Sequence, residues 1–594
     1  MEPKTPITPG IYRYFARLGL CFSRADALVP LALLGILCGL VTGLVIIGFR
    51  LSIDYGQTQL LSGGQPYHPE RLSTHWRLLL PVMGGLFLGA VFQWLSRSHN
   101  TQVGIIHVLE RLNYHQGYMP FRSMLLQFFG GAVSIFSGHA VGREGPAIHL
   151  GAATGSLIGQ RLKTPNKNLR LLVGCGSAAA FAASFNTPLA GVLFALEVII
   201  LEYKLRSATP IILAAVSAST LSRAVFGPEL AFSVPALELK SVAELPYLLL
   251  MGLVLGLLAT SFIAVMERVT RWSLTHSFVG RFLLAGLITG ICALFVPQIL
   301  GIGYDTVNAA LTSSLVDLGL GTIAMILIFK FVATTLGLGL GLPGGPIGPS
   351  LFIGSLAGTL AGVFAPTFYA QPSAPGYYAL LGMGAMLGAC LQAPLTAVIF
   401  LVELTANHAI LLPGVVVILA ASLTSRELFG KKSLFTTLLN VQGLNYNASP
   451  AGVSLLSAGV ASAMERDIVE LPAITSLDAI QISLDKNSRW VIISQNHKPV
   501  ALMPTADLAR YYLETIQSKK PAIHALIHLL EIPARRLQLA PIELQANLRQ
   551  ALEYLDHSGA EALYVERTNP NNDAPYLYGI LTRDLIEASY RQVI

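Results

Sequence analysis

Uncharged runs separated by short polar breaks fill most of the chain. Residues 27–49, 123–142, 171–196, 245–266, 282–304 and 331–402 contain no Asp, Glu, Lys or Arg. One bilayer-spanning helix needs roughly 20 apolar residues, so each run can hold a span and the last can hold several. Gly and Pro interrupt that last block, which predicts short broken helices there. Residues 27–49 read as a first long helix, 51–77 as a polar loop and 78–95 as a second span. Residues 101–114 are too short and too polar to cross. A helix over 121–135, one ending near Arg161, and two between Arg170 and Lys204 parted at Asn186-Thr187-Pro188 come next. Spans over 209–226, 245–267, 282–300 and 318–335 precede the broken block, and membrane material ends near Arg426. The pattern is that of an all-α polytopic membrane domain.

Near Pro450 the composition becomes that of a soluble domain, and a small repeat appears. Thr475-Ser-Leu477-Asp with Leu484-Asp485 is echoed by Ala546-Asn-Leu548-Arg with Leu555-Asp556. Each copy pairs a short amphipathic helix with strands, at 490–493 and 500–503 in one and at 563–566 and 576–581 in the other. Neither copy is large enough to bury a good core alone, so the two are expected to pack on each other. The division is a cytoplasmic lead-in over 1–26, a membrane domain over 27–445 and a soluble α/β domain over 446–594, with halves near 458–520 and 532–594.

Composition sharpens this picture. Of 594 residues, 53% are hydrophobic and only 12% charged, against about one quarter charged in soluble domains. The net charge of +7 does not point to nucleic acid, because the basic residues gather at 4–24, 161–170, 204–206 and 431–432. There they read as cytoplasmic flanks of helices. The first apolar run begins late and is long enough to span, which argues against a cleavable signal peptide. Cys21, Cys38, Cys175, Cys292 and Cys390 lack metal spacing and read as buried thiols. No metal site, catalytic residue or nucleophile–base pair stands out in the membrane segments, so an enzyme is the least supported class.

The chemistry concentrates between Ser137 and Gly155. Pro146 suits the first turn of a helix, and Gly142 and Gly145 leave backbone N–H groups bare there. A helix N-terminus carries roughly half a positive charge and unpaired donors, so it attracts anions. Glu144 is an anion of the chain's own at that place, and a carboxylate that competes with a permeant anion is a gate. An ionisable residue inside a membrane is functional by default; the plainer alternative is a structural Arg143–Glu144 pair.

A repeat surrounds this motif. Gly142-Arg-Glu-Gly-Pro, Gly151 and Gly155 are echoed by Gly345-Pro-Ile-Gly-Pro, Gly354 and Gly358. Downstream, the stretch from Asn186-Thr-Pro to Glu197 is echoed by that from Gln392-Ala-Pro to Glu403. Gly- and Pro-broken segments in matching places of two halves point to a central ion site; the alternative is that they only help helices pack. His107, His139 and His149 could pass protons, although such residues are more often hydrogen-bonded structure. Glu197 and Glu403 read as caps or bridges between helices. Lys330 reads as positive potential near a path or as a helix-end anchor.

These residues resemble the CLC family of chloride channels and chloride/proton antiporters, bacterial type with a C-terminal tandem CBS domain. Gly142-Arg-Glu-Gly-Pro146 matches the family's gating motif, and Gly-Gly-Pro-Ile-Gly-Pro349 falls where its second helix-start motif belongs. Asn-Thr-Pro-Leu-Ala-Gly191 opens a matching helix, and the soluble tail looks like a CBS pair. The resemblance implies two inverted repeats of tilted, broken helices, and a homodimer with a pore in each subunit. It implies chloride as the transported ion, no cofactor, and a multi-pass place in the cell inner (plasma) membrane with N-terminus and tail cytoplasmic. Glu144 becomes the external gate, occupying the anion site when ionised and swinging away when protonated. Gly142, Arg143, Gly145, Val103, Gly104, Ile347, Gly348 and Phe435 fall at the anion-binding positions.

Several of these positions depart from the family pattern. Val103-Gly-Ile-Ile106 stands where Ser-Gly-Ile-Pro is frequent, Pro346 brings no N–H to the second motif, and Phe435 replaces a pore tyrosine. A lost hydrogen bond to a charged ligand is worth roughly 1.5–3 kcal/mol, so weak central anion binding and altered halide/nitrate selectivity are expected. Val198 stands where antiporters often carry an inner proton carboxylate, which favours a channel or a loosely coupled transporter. The rival readings are a chloride/proton antiporter with another proton route and a non-conducting sensor that signals through its tail. Thr505 with Asp507 and Thr582 with Asp584 resemble the pairs that hold adenine nucleotides in CBS modules, each one residue short.

Overall fold

The computed structural model describes residues 28–61, 72–96, 101–201, 205–228, 231–444, 455, 458–486, 488–495, 498–517, 526–544, 546–569 and 572–591. The chain divides near residue 446 into a membrane unit and a C-terminal unit. The lead-in over 1–26, with its basic cluster and Cys21, lies outside the described residues, as does Lys204. Among the described residues, nine helices are long and apolar enough to cross a membrane.

In chain order the helices of the membrane unit begin with α1 (Leu28–Tyr55), α2 (Thr74–Ser96), α3 (Gly104–Tyr114) and α4 (Phe121–Phe136). They continue with α5 (Glu144–Arg161), α6 (Asn166–Phe185), α7 (Pro188–Phe194), α8 (Leu205–Phe226), α9 (Leu245–Ser273) and α10 (Phe278–Phe295). After α11 (Tyr304–Leu311) and α12 (Leu320–Gly339), the uncharged block yields α13 (Ile347–Phe364), α14 (Pro375–Leu391) and α15 (Pro394–Thr405). The unit closes with α16 (Leu411–Leu423) and α17 (Leu434–Val441).

Among the boundaries that differ from expectation, two are informative. The polar loop predicted from residue 51 starts later, because α1 runs to Tyr55 and continues as a π-helical turn over Gly56–Leu61. Phe49 and Ile53, one turn apart, are both buried, so the apolar face outlasts the apolar run. The span expected to reach residue 300 stops at Phe295, where Pro297 opens a 3₁₀ turn.

In lipid there is little hydrophobic drive between helices, so close packing of small residues must hold them together. A Cβ on Gly85 of α2 would strike the Phe282 carbonyl of α10, and one on Gly286 would strike that of Pro81. The internal repeat reappears in this packing. Gly151 and Gly155 of α5 lie against the backbone at Gly176 and Leu172 of α6, and Gly354 and Gly358 of α13 lie against Gly382 and Tyr378 of α14. Asn186 and Gln392 both take left-handed backbone before the matching prolines.

Glu197, in the π turn Ala195–Ile200 after α7, accepts from Thr396 N at 2.8 Å and Leu395 N at 3.2 Å, at the start of α15. Glu403, near the end of α15, accepts from Leu189 N at 2.9 Å and Ala190 N at 2.8 Å, at the start of α7. The two carboxylates therefore cap each other's repeat, as expected for Glu197 and Glu403. The two helices run antiparallel, each beginning where the other ends.

The C-terminal unit has a six-stranded sheet in the order β1-β3-β4-β6-β7-β8. These are β1 (Ile468–Pro472), β3 (Trp490–Gln495), β4 (Lys498–Pro504), β6 (Leu537–Glu543), β7 (Ala562–Asn569) and β8 (Asn572–Thr582). A separate short pair joins β2 (Ile474–Ser476) and β5 (Leu526–His528). The two copies of the small repeat meet at β4 and β6, which pair antiparallel through Ala501↔Gln538 and Leu502↔Leu537. Ile492 and Leu502 from one copy share a core with Leu537, Ala562 and Ile580 from the other. Matching helices α18 (Leu477–Leu484) and α20 (Leu548–Ser558) are capped by Ser476 and Asn547, while α19 (Thr505–Gln517) and α21 (Arg583–Arg591) follow β4 and β8.

Candidate functional site

The two motif turns meet. Gly142 N donates to Gly345 O at 2.8 Å and Gly345 N donates to Gly142 O at 2.9 Å, an antiparallel bridge between halves of the membrane unit. No side chain fits between them, since a Cβ on Gly345 would strike Gly145 N. Immediately after the bridge, Arg143 and Pro346 begin their helices with almost identical backbone, φ −83° and ψ −16° against φ −83° and ψ −15°. Glu144 and Ile347 are thus equivalent first residues of α5 and α13. The first N–H groups of each helix have no carbonyl of their own turn to meet, and the two helix starts adjoin at this bridge. Because Pro346 precedes Ile347, the second set begins with the Ile347 N–H.

Glu144 lies at this junction, fully buried. Its Oε1 accepts a hydrogen bond from Tyr304 Oη. Arg143 Nε lies 3.6 Å from the same oxygen, so the alternative ion pair is present. It leaves Oε2 unmet: among the described residues that atom has no hydrogen-bond partner. A Cβ on Gly142 would stand 2.6 Å from Oε2, and one on Gly348 would stand 2.7 Å from it. The carboxylate is therefore wedged between the two glycine turns. An unmet oxygen of a buried carboxyl is costly, because it has given up water without gaining a partner.

The other sequence-predicted residues fall in two groups. Gly142, Arg143, Gly145, Ile347 and Gly348 are brought together by the bridge. Val103 and Gly104 form the start of α3, which packs against α5 and against α17, the helix that carries buried Phe435. Neither Val103 nor Phe435 offers a side-chain donor. Val198 lies buried in the π turn after α7.

The histidines divide. His107 Nδ1 and His149 Nε2 are 3.0 Å apart, joining α3 to α5, and Arg111 Nε donates to His107 Nε2 at 3.1 Å. That donation makes His107 Nε2 an acceptor, so Nδ1–H donates to His149. His139 departs from the expectation of a hydrogen-bonded histidine: it is fully buried, and neither ring nitrogen has a partner among the described residues. The tight turn in which Val141 N donates to His139 O sets its place instead. Cys38, Cys175, Cys292 and Cys390 are free and buried, as expected.

Two further side chains matter, one that no motif marked and one for which only one of two readings survives. Tyr304 opens α11, which packs against α13; it follows Gly-Ile-Gly and carries no recognisable motif. Lys330 lies in the interior of α12, fully buried, so the helix-end reading fails. Its Nζ donates to Ile299 O and Gly301 O, both at 2.8 Å, and stands 4.7 Å from the Phe352 ring centre. The backbone it holds leads directly into Tyr304.

In the C-terminal unit, Thr505 and Asp507 begin α19, and Thr582 and Asp584 flank the start of α21. Asp507 Oδ2 accepts from Arg535 N at 3.1 Å, and Thr582 Oγ1 accepts from Leu585 N at 3.4 Å. Thr505 Oγ1 is buried without a partner among the described residues.

Residues 84–426 match the family model described as voltage gated chloride channel. The chain is 31% identical over 399 residues to the ClcB-like protein of Ralstonia nicotianae, covering 64% of this chain and 90% of the relative. It is 29% identical over 428 residues to the H(+)/Cl(-) exchange transporter ClcA of Klebsiella pneumoniae, covering 69% and 89%. Among solved structures it is similar to a slow cyanobacterial Cl−/H+ antiporter, with TM-score 0.60 and 26% identity over 70% of this chain and 98% of that one. A eukaryotic CLC transporter shares the fold over 93% of this chain and 97% of its own, with TM-score 0.56 and 19% identity. With a gating-type motif folded into the junction of two matched helix starts, and a family model covering more than half of its length, the chain belongs to the CLC family.

Proposed function

We propose that the chain transports anions, chloride foremost, through a path in each subunit that Glu144 closes. The observation that carries this reading is the buried Glu144 carboxylate, with Oε2 unmet, between two helix starts whose free N–H groups favour negative charge. Ionised, the side chain takes the anion's place; protonated, it loses its attraction to the dipoles and leaves. The flux is channel-like or loosely coupled to protons, because Val198 cannot titrate. Glu144→Gln should raise chloride efflux from proteoliposomes several-fold and flatten its acceleration in acid. An unchanged pH response would remove Glu144 from the gate.

The second reading is a chloride/proton antiporter with another proton route. It is favoured by the exchanger names of relatives and by the His107–His149 contact that joins α3 to α5. At fixed chloride, a reversal potential that moves with a pH gradient supports exchange; one that stays put supports loose coupling. A membrane sensor without conduction would give no efflux above empty vesicles.

The remaining parts of the reading follow the family resemblance. The two halves are inverted repeats, two copies form a homodimer, and the protein sits in the inner membrane with N-terminus and tail in the cytoplasm. The tail, residues 446–594, is a CBS pair, and its two strand-to-helix junctions at Thr505–Asp507 and Thr582–Asp584 are the place for an adenine nucleotide. Calorimetry of the full chain with ATP, ADP or AMP tests this, and absence of heat would remove it.

A further inference from the structure

We infer that the Tyr304 hydroxyl is the side-chain ligand of the transported anion in this protein, handed between Glu144 Oε1 and the anion that replaces it. The inference rests on the proposed competition between Glu144 and a small anion, and it names the group over which they compete.

The anion path has few side-chain donors where they were expected. Val103 and Phe435 have no hydroxyl, and Pro346 has no N–H. Tyr304 Oη, by contrast, already donates to a carboxyl oxygen at the junction of the two helix starts. A phenol has one proton to give, so while the carboxylate holds it the hydroxyl cannot serve an anion. When the carboxylate leaves, that donor is left unmet in a buried place, and a halide or other small anion is what satisfies it there.

The donor is built to stay where it is. The Tyr304 ring lies 4.6 Å from the Phe232 ring and 5.0 Å from the Arg143 guanidinium carbon, measured between ring centres and to the ring centre respectively. The backbone before it is tied by Lys330 Nζ to Ile299 O and Gly301 O. Gly303 begins the helix with φ +80°, and a Cβ there would stand 2.6 Å from Phe352 Cε2, so only glycine fits this turn. A hydroxyl held this firmly does not follow a departing side chain. Arg143 faces both Tyr304 and Glu144, so positive charge remains beside the hydroxyl after the carboxylate has gone.

The test uses the purified full chain and chloride binding by calorimetry. Glu144→Ala vacates the place without supplying a new acceptor, as a glutamine carbonyl would. It should bind chloride more tightly than the unsubstituted chain. Adding Tyr304→Phe keeps the ring and its packing and removes only the hydroxyl. Chloride affinity should then fall roughly tenfold or more. Equal affinity in Glu144→Ala with and without Tyr304→Phe overturns the Tyr304 assignment alone. No gain of binding in Glu144→Ala overturns the competition at Glu144 and the inference with it. A second readout needs no change at Tyr304: with ring-labelled tyrosine in Glu144→Ala, chloride should shift a phenol C–O band in the infrared difference spectrum. Absence of any chloride-induced phenol shift likewise overturns it.

Discussion

At the scale of single residues, the site depends on what glycine lacks as much as on what Glu144 carries. Gly142 and Gly345 bring two backbones into mutual hydrogen bonding, and a side chain on either would part them. Gly345→Ala puts its methyl against the backbone of Gly145, which cannot yield as a flexible side chain could. We expect it to lower stability by about 1–3 kcal/mol, the usual cost of overpacking, and to slow anion flux. Gly48→Ala is the control: no atom lies within 4 Å of its Cβ position on α1, and ordinary helical backbone suits alanine. Thermal unfolding in detergent should separate the two; similar midpoints would mean that the bridge contributes little. The motif itself was legible, because its residues are contiguous. Tyr304 was not, since its partner Glu144 lies 160 residues away and no local pattern marks it.

At the scale of elements, the crossed carboxylates explain why short broken helices are stable in the middle of the unit. The start of α15 depends on Glu197 and that of α7 on Glu403, and each carboxylate meets two backbone donors of the other repeat. Glu197→Ala and Glu403→Ala should each cost about 1–2 kcal/mol, as the loss of a good N-cap does. Glutamine keeps one acceptor and should cost less in both places. The measurement is the unfolding midpoint of each variant, and alanine variants that unfold with the parent would remove the capping role. The sequence pairing of Glu197 with Glu403 foresaw two similar jobs. That the jobs are exchanged became visible only when the helices were laid antiparallel. The glycines of the repeat divide in the same way: 142, 145, 345 and 348 serve the junction, while 151, 155, 354 and 358 let helices touch.

At the scale of the whole molecule, two units carry separate cores. The membrane unit buries small and aliphatic residues among helices, whereas the C-terminal unit closes a sheet across its two repeat copies through β4 and β6. Domains with their own cores fold independently. Residues 455–594 expressed alone should therefore be soluble and unfold in one cooperative transition followed by far-UV circular dichroism. A single copy ending before β6 should not fold, because Ile492 and Leu502 would lose their partners Leu537, Ala562 and Ile580. A folded single copy would contradict that mutual dependence. For transport, the proposed reading, in which Val198 stands at the inner proton position, predicts a reversal potential that follows chloride and moves little with a pH gradient.

Hydropathy, spacing and motif are properties of neighbouring residues, and they settled a good deal without coordinates. The membrane class, the repeat, the motif around Glu144 and the α/β character of the tail all follow from them. What packing decided is which distant groups touch. It placed Glu144 Oε1 under Tyr304 and left Oε2 bare, joined His107 to His149 across 42 residues, and sank Lys330 beneath two carbonyls. The reason is physical: a buried polar atom takes the partner that the folded backbone delivers, and that delivery depends on helices meeting from far along the chain.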